Sequence, residues 1–188
     1  MSYDCKGFHS TLLERAKSIL GSNFRTSSGK TTYLGDGVYF FENDHKIAVE
    51  FVVCKYNEGR YGVLESIIRA KHANILDVSS PEGEEFFHAH RTRILDTIGR
   101  ENLSVIVPSD RNIDCFVINS ICTYFPEIQA VRKRGFSRTY RDKILGRTSS
   151  VPNVGIICIR DVDTCIKETR LVEEGDIDEF RRNVAASG

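Results

Sequence analysis

The stretch Tyr33-Leu34-Gly35-Asp36-Gly37-Val38-Tyr39-Phe40-Phe41-Glu42 constrains the fold more than any other. Two glycines stand two residues apart, directly before four apolar residues, three of them aromatic. Val, Tyr and Phe suit a half-buried strand, and a strand needs no glycine at its mouth. Glycine is used where the chain turns through positive φ or where backbone must come close to something else. The stretch therefore reads as a turn feeding a core strand, or as a ligand seat beside one. On its own it leaves both readings open.

Its surroundings mix two periodicities. Apolar residues at 12, 13, 16, 19 and 20 predict a helix over 11–20, with Ser10 or Thr11 as its cap and Gly21 as its stop. Residues 22–32 are polar and read as a loop. Asp44 is placed to cap a helix over 46–54. Gly59 to Gly62 marks a turn, and 63–70 reads as a strand that 74–77 continues or pairs with. Residues 81–100 read as a helix behind Ser80-Pro81, 114–122 and 154–160 as strands, and 176–183 as a short final helix. Interleaved strands and helices point to an α+β class, expected as two packed, mostly antiparallel sheets with flanking helices.

A length of 188 residues fits one domain, 1–188. No apolar run approaches a membrane span, and the first residues lack the apolar core of a signal peptide. Six cysteines, at 5, 54, 115, 122, 158 and 165, are scattered with no Cys-x-x-Cys pair. They read as reduced, buried thiols in a cytoplasmic protein, not as a disulfide or zinc framework. His88-Ala89-His90 has no further ligands nearby, so no metal is expected. Net charge is zero, but it is unevenly spread. Seven Lys/Arg and one acid lie between Arg132 and Arg147, while 168–179 is acidic. Phe136 and Tyr140 interleave with these cations. Arg132, Lys133, Arg134, Arg138, Tyr140 and Arg141 are thus candidates for tracking a phosphate backbone and stacking bases. A solvated basic surface is the simpler alternative.

A second segment, Phe8-His9-Ser10-Thr11, combines a histidine with two hydroxyls thirty residues before Tyr39. Together, His9-Ser10-Thr11, Gly35-Asp36-Gly37-Val38-Tyr39-Phe40 and Ala48 resemble the ADP-ribosyltransferase superfamily. The likeness is to its diphtheria-toxin and poly-ADP-ribose-polymerase branch. It covers roughly the first 70 residues well and the rest loosely. It implies an NAD co-substrate and no metal. His9 is then expected on the adenosine-side ribose, Ser10 backbone and Thr11 on the nicotinamide amide, and Tyr39 stacked on the ring. Gly37 would keep the pocket floor open, and Phe40 belongs to the same motif. Cleavage of an N-glycosidic bond wants a carboxylate or dipole nearby.

The sequence departs from the family pattern in three places. The glycine after the histidine is Ser10. The second stacking tyrosine, eleven residues past the first, is Glu50, with Phe51 as a stand-in if the helix shifts by one residue. The late strand, 154–160, holds no acid, which leaves Glu127 as the candidate third catalytic residue beside His9 and Tyr39. A histidine–tyrosine–apolar set goes, in the family, with transfer of single ADP-ribose units or with lost activity. With His9 this near the chain start, no attached regulatory module is expected. The reading is a bacterial, intracellular toxin or phage-defence effector, with an antitoxin as a candidate partner. Its acceptor is a macromolecule, with nucleic acid such as RNA ahead of protein. A plain NAD glycohydrolase and a non-catalytic ADP-ribose or nucleic-acid binding module are the alternatives.

Overall fold

Two long antiparallel strands carry the centre of the fold. β1 (Ser2–Leu12) and β3 (Arg60–Lys71) pair along their whole length, from Ser2–Lys71 to Leu12–Tyr61. In this computed structural model, which describes residues 1–28, 32–100 and 113–186, five further strands join them. These are β2 (Val38–Glu42), β4 (Ile75–Asp77), β5 (Ala130–Gly135), β6 (Val154–Ile159) and β7 (Ile166–Asp176). All seven form one sheet in the order β4-β5-β6-β2-β1-β3-β7. Only β4 and β5 run parallel; the other neighbours are antiparallel. The class is α+β, with one mixed sheet where two were expected.

Helices cover both faces. On one lie α2 (His45–Lys55), α3 (Pro81–Arg100), α4 (Ile113–Tyr124) and α7 (Ile177–Ala186), packed over Phe8, Phe41, Val63, Val131 and Ile156. On the other lie α1 (Leu13–Gly21), α6 (Val162–Cys165) and the buried Phe24, over Val38, Phe40, Leu64, Ile68 and Ile157. A small helix, α5 (Tyr140–Ile144), sits against α2. Among the described residues no helix is long and apolar enough to cross a membrane.

α2 shows why packing decides these elements. It contains Ile47, Val49, Val52 and Val53, β-branched residues that cost about 0.5 kcal/mol each as helix formers. All four are buried, and full burial of such a side chain contributes roughly 1.5–3 kcal/mol. Burial wins. The expected cap holds as well, since the Asp44 carboxylate accepts the Ile47 N–H.

Several expectations change. Ser10 and Thr11 do not cap a helix; they belong to β1, and α1 begins at Leu13 without a side-chain cap. Eleven rungs to β3 outweigh a local capping preference. Residues 114–122 are helical within α4, not a strand. A continuous apolar run does not distinguish the two, and the buried Cys115, Ile118, Ile121 and Cys122 follow helical spacing. The segment 74–77 pairs with β5 at the far edge of the sheet rather than with β3. Residues 29–31 of the predicted loop lie outside the described residues.

Candidate active site

The candidate site lies at the seam between β1 and β2. Their ladder has only two rungs, Gly7–Glu42 and Phe8–Phe41, with Asn43 N–H also donating to the Lys6 carbonyl. By antiparallel alternation, odd-numbered β2 residues and even-numbered β1 residues turn their backbone groups into the seam. Phe41 is used by the ladder. The Tyr39 carbonyl instead meets the His9 imidazole, Nδ1 to oxygen 2.9 Å. Gly37 exchanges both its backbone bonds with Ser27. The seam thus opens beyond Phe8, and the backbone of Ser10 faces it.

A carbonyl accepts only, so His9 Nδ1 carries the proton and Nε2 keeps a lone pair. Burial, opposed by the Tyr39 carbonyl and aided by Lys55, holds the imidazole pKa below its ordinary 6.5. His9 is therefore a neutral ring with an acceptor nitrogen. Its edges are fixed by Phe24 and Phe40, with ring centroids at 5.4 and 5.8 Å.

Strand alternation sorts the other predicted residues by face. Ser10 and Tyr39 share the α2 face, while His9, Thr11 and Phe40 share the other. Thr11 and Tyr39 side chains therefore do not meet on one ligand group. Ser10 is 5% exposed, and its Oγ is buried without a hydrogen-bond partner among the described residues. An orphaned buried hydroxyl costs about 1–3 kcal/mol; among the described residues Asp36 Oδ1 and Arg181 Nε are also buried without a partner. Phe40 is fully buried core.

Tyr39 is held by its hydroxyl. It accepts from Tyr33 N–H (3.0 Å) and Leu34 N–H (2.8 Å) and donates to the Gly35 carbonyl (2.8 Å). Burial pushes its pKa well above the ordinary range, so the phenol stays protonated. Its aromatic neighbour is Tyr33, centroid to centroid 5.6 Å at 52°, and it also packs against the main core cluster.

The two glycines have packing reasons. Gly35 sits at φ +82°, and a Cβ there would meet Arg160, Asn119 and Ile118 within 3 Å. A Cβ on Gly37 would meet Cys158 Sγ at 2.5 Å and the Ile159 carbonyl at 2.6 Å. Gly37 therefore lets β2 approach β6; it does not line an open floor. Between them, Asp36 is clamped through its backbone. Its N–H donates to Asn119 Oδ1, and its carbonyl accepts from Arg160, both at 2.9 Å. Asn119 and Arg160 carry no motif that reveals this role; only the tertiary contact does.

The second ring and the acid are not where the resemblance puts them. Glu50 is buried, and its carboxylate accepts the Tyr140 N–H at 2.6 Å. Phe51 packs edge-on against Phe41 at 5.3 Å, not against Tyr39. On β6 the residues facing with Tyr39 are Val154, Ile156 and Cys158, all buried and none acidic. Glu127 is exposed and lies between α4 and β5, following a helix and not a strand. It lines a cavity of about 650 Å³ with Tyr3, Asp77, Phe86, Phe125 and Arg132, whose walls include neither His9 nor Tyr39.

The basic stretch divides. Arg132 is engaged, with Nε on Glu42 at 2.8 Å and Nη1 on Asp77 at 2.5 Å. Tyr140 is half-buried beneath the Arg181 guanidinium, 5.5 Å from its ring. Both are structural. Lys133 is half-buried on β5, whereas Arg134, Arg138 and Arg141 are exposed. His90 Nδ1 meets the Phe86 carbonyl at 2.9 Å, and His88 faces Glu84. No protein-family model matches the chain, and no characterised protein sequence matches it.

Proposed function

We propose that this chain is an NAD-dependent mono-ADP-ribosyltransferase with an ADP-ribosyltransferase-like fold, acting inside the cell on a macromolecule as a toxin or defence effector. One observation carries the reading: where β1 and β2 part, the Ser10 hydroxyl is buried on the Tyr39 face with no partner among the described residues, while His9, on the opposite face, holds the Tyr39 carbonyl through Nδ1. The residues fit the co-substrate as follows. Ser10 and Tyr39 share a face and would take the carboxamide and the nicotinamide ring, whereas His9 lies on the opposite face and would act through the Tyr39 carbonyl that it holds. NAD supplies the ADP-ribosyl group, released when nicotinamide leaves. The chain's part is to orient the ring and keep water from it.

Nucleic acid, RNA in particular, is the favoured acceptor, on the exposed Arg134, Arg138 and Arg141. These three cations stand close in sequence to the loop that enters β6. Incubation with labelled NAD and separate pools of RNA, DNA and protein tests this, with label expected in RNA. Label in protein alone moves the acceptor to a protein side chain. Free ADP-ribose at one rate with or without acceptor marks a glycohydrolase. A triple Arg134/Arg138/Arg141→Ala variant is expected to lower the salt slope of RNA binding by about one for each cation that had neutralised a phosphate.

The apolar β6 face favours a second reading. With Val154 and Ile156 where an acid would stand, a non-catalytic ADP-ribose binding module is supported by the same seam. Binding of ADP-ribose without any turnover of NAD would identify it.

A further inference from the structure

We infer that the excursion between β5 and β6 docks this chain on the anionic surface of a lipid bilayer, with cations on the headgroups and three aliphatic side chains in the acyl boundary. The excursion is closed at its base. There the Asn153 N–H donates to the Gly135 carbonyl at 2.9 Å, and the Asn153 side chain exchanges two bonds with the Ser137 backbone. At its far end α5 finishes in Ile144, the chain reverses through Leu145 and Gly146, the latter at φ +62°, and Val151 stands on the return. Ile144 is 59% exposed, Leu145 69% and Val151 70%. Single exposed apolar side chains are ordinary, but three on one short excursion mark a contact surface.

The charge around them is of one sign. Residues 134–153 hold Arg134, Arg138, Arg141, Lys143 and Arg147, all exposed, against one carboxylate. That carboxylate, Asp142, is closed into the capping box, accepting from the Thr139 N–H and hydroxyl at 3.0 and 2.8 Å. The cations alone would suit RNA phosphates as well as lipid headgroups; the aliphatic tip separates the two. Bases stack on rings, but Tyr140 lies beneath the Arg181 guanidinium and Phe136 is half-buried. Ile, Leu and Val add nothing to a phosphate contact, yet gain on leaving water for an acyl layer. A protein partner would need a pocket for each projecting side chain, whereas a bilayer receives them without one. A second copy meeting the same face would set cations against cations. No residue of the β1–β2 seam takes part, so this docking and the NAD reading stand or fall separately.

Flotation of the full chain with vesicles of phosphatidylcholine alone, and of phosphatidylcholine with phosphatidylserine, tests the assignment. Binding is expected only where phosphatidylserine is present, and it is expected to weaken with salt. The triple variant Ile144→Ser/Leu145→Ser/Val151→Ser is expected to bind these vesicles about tenfold more weakly or worse, with RNA binding unchanged. Arg141→Ala is expected to lower vesicle binding about fivefold, as loss of one surface cation implies. A thermal melt of each variant checks folding. A wild-type chain that ignores phosphatidylserine, or a triple variant that binds as the wild type does, overturns the docking. An equal loss of RNA binding in the triple variant gives the tip to RNA. A concentration-dependent dimer in gel filtration that the triple variant abolishes gives it to a second copy. Either result also overturns the docking.

Discussion

The imidazole Nδ1 of His9 lies 2.9 Å from the backbone carbonyl of Tyr39, so a side chain replaces the next rung of the β1–β2 ladder. This one contact does two things. It satisfies a carbonyl that would otherwise be left unpaired in the seam, and it fixes which ring nitrogen carries the proton.

Acid sensitivity of the fold follows from the direction of the His9 shift. Its folded pKa lies below 6.5, chiefly through burial. On acidification the unfolded chain takes up the proton first. The neutral ring's contribution is therefore fully present above pH 6.5 and is lost as pH falls from there through the folded pKa. Glu65 titrates lower. There Arg170 and Lys6 outweigh burial and hold the pKa under its ordinary 4.5. His9→Asn keeps an N–H for the Tyr39 carbonyl but does not titrate. Urea denaturation between pH 7.5 and about 5 is expected to show a flatter stability profile for the variant. Identical profiles would remove His9 from the acid sensitivity of the fold.

Removing the Tyr39 hydroxyl separates stacking from positioning. Tyr39→Phe keeps the ring but strips the acceptor from Tyr33 and Leu34 N–H and the donor from the Gly35 carbonyl. The expected cost is about 1–3 kcal/mol of stability, the range for buried groups left unpaired. ADP-ribosyl transfer is expected to fall about 10²-fold, because a misplaced ring costs positioning. Unchanged melting would mean that loop 33–35 is held by other contacts.

The sequence shows part of this site and hides part. The strand after the two glycines was legible because glycine and aromatic spacing is local information, but the reason for Gly37 was not, since its close approach to Cys158 and Ile159 on β6 is tertiary. Nor was the strand around His9. Ser10 and Thr11 look like a cap before a helical pattern, and only pairing with β3, more than fifty residues away, makes them extended. The same holds for α4, where a run suited to a strand is turned helical by what it packs on. Glu50 and Arg132 stood out by sequence position and by charge. Each proved to be a structural tie, since carboxylate and guanidinium partners far along the chain cannot be read from local composition.

Arg132 puts that distinction to the test. Its guanidinium joins Glu42 on β2 to Asp77 on β4, and Tyr3 on β1 donates to the same Glu42 carboxylate. The Glu42 side chain is only 5% exposed. Arg132→Met leaves that charge buried and unpaired, which costs about 3–5 kcal/mol. Glu42→Gln on the same background is expected to recover part of the loss. Chemical denaturation measures both. If Arg132→Met weakened RNA binding without loss of stability, Arg132 would return to the nucleic-acid surface.

Glu50 ties α2 to the segment that carries the exposed cations. Its carboxylate accepts the Tyr140 N–H, Cys54 Sγ–H donates to the Arg138 carbonyl at 3.5 Å, and Lys143 donates to the Cys54 carbonyl at 2.9 Å. The capping box of Thr139 and Asp142 holds α5 internally but does not dock it. Docking therefore depends on α2, and Glu50 is its buried member. Glu50→Ala is expected to free the segment around α5, seen as faster tryptic cleavage at Arg138, Arg141 and Lys143, with a global loss of about 1–3 kcal/mol. Glu50→Gln retains an acceptor oxygen and is expected to restore protection. Cleavage of Glu50→Ala at the wild-type rate would show that Cys54 and Lys143 suffice to hold α5 in place.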